Sequence, residues 1–258
     1  MRAHSLLGRL ARASHCPVAP PRAWAPLTPP CAAPSARSYR PAWRQQSLLE
    51  RVDTAPDGVL YALLAANVAV FGAWHTLSPR FMAKHFMFSD DSLRQGRVHT
   101  LLTSAFSQRD AWHLGSNAVS LYFFGREIGR LFGGVKLAAL YAAGGVVASL
   151  SHVAWSRRKM PHQRRLGWPA PPAPPAMGAS GAVNAIVLLD TLLFPWRTIY
   201  LNLILPVPAL VLGGAVLLRD VYGSYGDGSS GVAHAGHVGG AAVGAAAWAW
   251  LRLRTRVY

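Results

Sequence analysis

Residues 234–244 read His234-Ala235-Gly236-His237-Val238-Gly239-Gly240-Ala241-Ala242-Val243-Gly244. They open an apolar run, Ala233–Leu253, of the length a helix needs to cross a hydrocarbon core. Gly236, Gly240 and Gly244 recur at every fourth residue, the small-residue ridge through which helices approach closely in lipid. The two histidines at the start of this run stand out. An ionisable side chain at membrane depth is costly, and such a residue marks a functional site by default.

Reading outward, five more apolar segments precede this one: Val59–Leu77, a less hydrophobic stretch centred on Trp112–Phe124, Val135–Trp155, Met177–Phe194 and Ile199–Leu218. The first carries one polar residue of buried type, Asn67, and the fifth is interrupted by Pro206 and Pro208. Six segments of this kind predict an all-α membrane protein, a six-helix transmembrane bundle occupying residues 51–258. Composition agrees. Only 14% of the 258 residues are charged, against about 25% in soluble domains. With 52% hydrophobic residues and a mean hydropathy of +0.21 the chain is too apolar for disorder. The 156–175 segment is basic and then Pro-rich, and reads as an extended insertion without structure of its own. Basic residues are nearly balanced between the two sides of the bundle, so they assign no orientation.

The net charge of +16 has two sources. One is a scatter of basic residues at the ends of the apolar runs. The other is residues 1–50, which hold seven arginines, no lysine and no acid before Glu50. Their first twelve residues suit a short basic amphipathic helix, and an Arg-rich, acid-poor amphipathic start is the signature of an organelle transit peptide. Prolines from Pro17 to Pro41 are too dense for a folded element, so 1–50 is expected to be a transit peptide and disordered leader. No basic helix face interleaved with aromatics is present, which excludes nucleic acid as the partner. Cys16 and Cys31 have neither the number nor the spacing for a disulfide framework or a metal site.

Three polar clusters interrupt the apolar segments. His113 and Asn117 are four residues apart and share a helical face. The fourth segment begins Gly178-Ala179-Ser180-Gly181, and the sixth begins with His234 and His237. Singly, each has a plain explanation: Ser180 as a helix cap, the glycines as packing surface, a histidine as a hydrogen-bonded core residue. Together they contain the parts of a serine hydrolase. A serine needs a base to act as a nucleophile at neutral pH, and histidine is the usual one. The oxyanion of acyl transfer needs donors, which Asn117, His113 and the Ser180 amide supply. Other intramembrane chemistries fit less well. There is no His-Glu-x-x-His for zinc, and Asp190 is the one aspartate at membrane depth, Asp220 and Asp227 being assigned to the loop before the last helix.

With these motifs in this order, the sequence resembles the rhomboid intramembrane serine proteases over roughly residues 58–253. His113-Leu114-Gly115-Ser116-Asn117 is similar to that family's HxxxN, Gly178-Ala179-Ser180-Gly181 to its GxSG, and His237-Val238-Gly239-Gly240 to its HxxG. The resemblance implies a Ser–His dyad of Ser180 and His237 without an acid. His113, Asn117 and Gly178 then line or support the oxyanion site, and no cofactor or metal is needed. It implies single-span membrane proteins as substrates and the lipid bilayer as surroundings. The leader and the AHxGHxGG start of the last helix look most like the mitochondrial branch, implying a multi-pass protein of the mitochondrial inner membrane, with a chloroplast membrane as the alternative. The chain departs from bacterial members at Asn184, where many carry a tyrosine, and at Gly96, which precedes Arg97 where a tryptophan is common. Two alternatives accompany this reading. One is an inactive rhomboid-like protein that binds transmembrane helices without cutting them. The other is His234 in place of His237 as the base.

Overall fold

The computed structural model describes residues 56–165, 175–201, 204–225 and 234–255. The leader expected at 1–50 and the Pro-rich stretch 166–174 lie outside the described residues. Those that are described are predominantly α-helical. Helix α1 (Pro56–Thr76) begins on a proline with Asp57 in its first turn, which suits a helix N-terminus in both backbone geometry and dipole. Two short helices follow, α2 (Pro79–Phe86) and α3 (Asp90–Arg94), each capped by a serine: Ser78 accepts from the Phe81 amide and Ser89 from the Ser92 amide. A single turn, α4 (Thr100–Thr103), runs into a 3-10 turn at Ser104–Phe106. The polar stretch after the first apolar segment therefore carries structure of its own.

Helix α5 (Ala111–Phe132) is capped by Asp110, whose carboxylate accepts from the His113 amide at 2.8 Å. It stops at Gly133, and α6 (Gly134–Arg165) begins at the next residue. Helix α7 (Ser180–Leu193) is shorter than the apolar run that contains it, and α9 (His234–Thr255) closes the described chain. By length and hydropathy, stretches of two helices qualify to cross a membrane, Asp57–Thr76 and Gly134–Arg158. Large apolar side chains on other helices also face outward, among them Trp112, Phe123, Leu218, Tyr222 and Leu253. The interior is built from Leu60, Leu121, Ile128, Leu137, Tyr141, Ile186 and Leu189. Apolar surface on both the inside and the outside of a helical protein is what lipid permits and water does not.

Two expectations need correction. Ile199–Leu218 is not one continuous helix. Strands β1 (Thr198–Leu201) and β2 (Leu205–Pro208) pair antiparallel, and α8 (Ala209–Tyr225) starts only after them. The cause is Pro206 and Pro208: without an N–H they break a helix, yet sit readily on an edge strand. The hairpin is fastened at its base by Asp190 of α7. This buried carboxylate accepts from Arg197 at 3.0 and 3.1 Å, while Arg197 also reaches Glu127 and stacks on Phe194. Nor is 156–175 wholly an unstructured insertion, because α6 continues helical to Arg165. Arg157, on that continuation, bonds Asp90 of α3, so the charged end of the helix is tied to the preceding loop.

The centre of the bundle is where α6, α7 and α9 pack against one another. A Cβ on Gly240 would overlap the Gly181 carbonyl, and one on Gly244 would overlap the Ala185 carbonyl. The glycine ridge read from the sequence is thus partly the surface by which α9 lies on the α7 backbone. This contact brings the first turns of the two helices side by side.

Candidate functional site

Ser180 is the first residue of α7. Its amide is among the first four N–H groups of the helix, which have no intrahelical acceptor. Gly178 precedes it with φ +130°, a conformation that strains any residue with a Cβ. A Cβ there would also lie 2.8 Å from His113 Cε1 and 3.5 Å from Ser180 Oγ. Glycine therefore keeps open the space that Ser180 and His113 border. The Gly178 amide is in turn fixed by donating to the Ser104 carbonyl at 3.0 Å.

His237, in the first turn of α9, places Nε2 2.8 Å from Ser180 Oγ. Its other nitrogen, Nδ1, lies 3.0 Å from Asp220 Oδ2. A carboxylate only accepts, so Nδ1 carries the hydrogen and Nε2 is left to accept from the serine hydroxyl. His234, one turn earlier, lies with Nδ1 2.9 Å from Asp220 Oδ1. The two histidines named in the sequence thus occupy different positions: His237 reaches Ser180, and His234 braces the far oxygen of Asp220.

Asp220 is not evident from hydropathy, which assigns it to the loop before the last helix. It belongs to α8 and is 1% exposed. The signal was present in the spacing: Leu212, Gly213, Val216, Leu217 and Asp220 recur at helical intervals and line one cavity. Asp220, His234 and His237 also have the donor set of a metal site, their ligand atoms lying within 4.8 Å of one another. Here those atoms are engaged with each other.

His113 and Asn117 stand on α5, on the other side of Ser180. His113 Nδ1 accepts from the Arg109 amide at 3.3 Å. Asn117 is buried and donates to Gln108 Oε1 at 3.1 Å; Gln108 donates to Asn67 Oδ1 at 2.7 Å, and Asn67 to the Tyr141 hydroxyl at 2.9 Å. Tyr141 completes the chain on the Ala105 carbonyl. The buried-type Asn67 of the first apolar segment is therefore one link of a line of amides ending at Asn117. A cavity of about 240 Å³ opens beside these residues between α5, α7 and α8, with Ser116, Asn117, Asn184 and Asp220 on its polar wall.

Residues 95–255 match the Rhomboid domain. The chain belongs to the rhomboid family of serine proteases. RHOMBOID-like protein 12, mitochondrial, of Arabidopsis thaliana is 44% identical over 197 residues, 75% of this chain and 58% of that protein. Rhomboid-like protein 16, chloroplastic, of the same plant is 38% identical over 213 residues, 76% of this chain and 63% of that protein. Rhomboid protein 1, mitochondrial, of Saccharomyces cerevisiae is 35% identical over 98 residues, 38% of this chain and 28% of that protein. The chain thus spans about three-fifths of the length of the two plant rhomboids. Relatives of both mitochondrial and chloroplast description occur.

Proposed function

We propose that the protein is an intramembrane serine endopeptidase, with Ser180 as nucleophile and His237 as general base. The observation that carries this reading is the 2.8 Å approach of His237 Nε2 to Ser180 Oγ at the paired starts of α7 and α9. In the first step His237 takes the hydroxyl proton as Ser180 Oγ attacks the scissile carbonyl. Negative charge then develops on the carbonyl oxygen at the N-terminus of α7, where the free Ser180 amide and the helix dipole both favour it. His113 adds a second donor. With the Arg109 amide on its Nδ1, the neutral ring carries its proton on Nε2, the edge that borders Gly178. Asn117 adds a third, because its amide nitrogen has two hydrogens and Gln108 takes one. His237 then gives the proton to the leaving amine, and water, activated by the same ring, releases the acyl group.

In this reading α1, α5, α6, α7, α8 and α9 form a six-helix transmembrane bundle, and residues 51–258 constitute the membrane domain. The substrates are single-span membrane proteins. Their helices must unwind locally to offer a carbonyl, a step made easier by helix-weakening residues near the cut. Residues 1–50 serve as a transit peptide and leader, which with the mitochondrial relatives favours the mitochondrial inner membrane. The test is cleavage of a transmembrane reporter by the purified chain in liposomes. Ser180→Ala and His237→Ala should each abolish cleavage. Persistent cleavage by Ser180→Ala would refute the assignment, and a wild-type chain that binds the reporter without cutting it would favour the inactive binder.

A further inference from the structure

We propose that Asp220 is a positioning residue for His237, so that the site works as a Ser180–His237–Asp220 relay, and that His234 holds Asp220 in place. The proposal rests on the reading of Ser180 and His237 given above and adds an acid to a pair expected to act alone.

Three observations carry it. First, Asp220 faces the catalytic imidazole from a different helix, with Oδ2 3.0 Å from Nδ1, while the opposite ring nitrogen faces Ser180. This order fixes the tautomer in which Nε2 is the acceptor. During attack the serine proton moves from Oγ to Nε2, the Nδ1 hydrogen stays on the ring, and Asp220 remains ionised throughout. The positive ring formed in that step is held by a stronger bond to the same carboxylate. Second, Asp220 is almost fully buried and its other oxygen is also engaged: Oδ1 lies 2.9 Å from His234 Nδ1 and 3.2 Å from Arg219 Nη2. A buried carboxylate is tolerated only when its lone pairs are satisfied. Its two oxygens, engaged from different directions, hold the group from rotating away from His237. Third, α8 makes room for this brace. Gly223 lies one turn beyond Asp220, and a Cβ there would stand 2.6–2.8 Å from the His234 ring.

The reaction assigns the two histidines separate duties. His237 moves the proton, and His234 acts only through Asp220. Asparagine at position 220 has one acceptor oxygen where aspartate has two; with that oxygen kept by His234 and Arg219, its NH2 group faces Nδ1 and favours the ring tautomer with its hydrogen on Nε2, which cannot accept from Ser180.

The experiment compares kcat and KM for a transmembrane reporter, with the rate of Ser180 labelling by a fluorophosphonate, across full-length variants in liposomes. Wild-type labelling at Ser180 establishes the underlying reading; its failure would remove that reading and is distinct from any result at Asp220. Given that labelling, Asp220→Asn should lower kcat about 100-fold to 10,000-fold with KM little changed. In a His237→Ala background the same change should have no further effect on residual labelling. His234→Ala should lower kcat roughly tenfold, and His234→Gln, which retains a donor, should recover most of that loss. Labelling should be indifferent to a metal chelator. The proposal is overturned if Asp220→Asn labels within threefold of wild type, if it lowers residual labelling equally with His237 absent, or if a chelator abolishes activity.

Discussion

The α-carbon of Gly240 rests against the carbonyl of Gly181, so closely that a Cβ on one would overlap the oxygen of the other. This contact lies one turn from His237 on α9 and one residue from Ser180 on α7. It therefore sets the distance between His237 and Ser180, which are 57 residues apart in sequence. Gly240→Ala must push the two helices apart. Overpacking of this kind costs about 1–3 kcal/mol, and the hydrogen bond between Ser180 and His237 would lengthen with it. Thermal unfolding and reporter cleavage should both fall. Gly214→Ala on α8, where a Cβ meets nothing within 4 Å, should leave both nearly unchanged.

The line of amides behind Asn117 makes a graded prediction. On the proposed mechanism Asn117 is an oxyanion donor, and its alanine variant should lose about 100-fold to 1000-fold in kcat. Gln108 acts only by orienting Asn117, so Gln108→Ala should cost roughly tenfold, in keeping with one hydrogen bond. In an Asn117→Ala background, Gln108→Ala should cost little more in kcat. Steady-state kinetics on the four chains, double variant included, measures this coupling.

Arg197 tests the hairpin that displaces the start of α8. Arg197→Ala would leave the carboxylate of Asp190 buried without its partner, a loss of about 3–5 kcal/mol in pairs of this kind. Asp190→Asn, added to the first change, should restore part of the lost melting temperature. If the double variant is less stable than Arg197→Ala alone, the pair does not fasten the hairpin.

The leader lends itself to direct sequencing. N-terminal analysis of the mature protein from isolated organelles should begin well after residue 12. An intact Met1 on the membrane-inserted protein would contradict a cleaved transit peptide.

What the sequence disclosed follows from which signals lipid amplifies. Apolar runs and isolated polar residues within them are conspicuous; the runs located α1, α5, α6, α7 and α9, and the polar residues made Ser180, His237, His113 and Asn117 the candidates. Hydropathy is a poor guide where an apolar run is not a helix, and 198–208 became a hairpin because two prolines decide its backbone. It is equally poor where a helix leaves the apolar zone. By hydropathy the basic end of α6 resembles a loop for that reason, as does the end of α8, whose apolar run stops at Leu218 while the helix continues to Tyr225. Asp220 lies two residues beyond that point, on the same face as Gly213 and Val216. Following the helical period rather than the hydropathy would have reached it. The relay of Asn67 and Gln108 was not legible at all, since it joins residues 41 apart through a side-chain bond.

The central claim is that Ser180 is a nucleophile activated by His237. The most direct test is fluorophosphonate labelling of the purified chain in liposomes, with the adduct located by mass spectrometry. A single adduct on Ser180 in the wild-type chain, formed far more slowly in His237→Ala and at close to the wild-type rate in His234→Gln, is the predicted result. Absence of labelling in a folded wild-type chain, or undiminished labelling of Ser180 when His237 is removed, would contradict the claim.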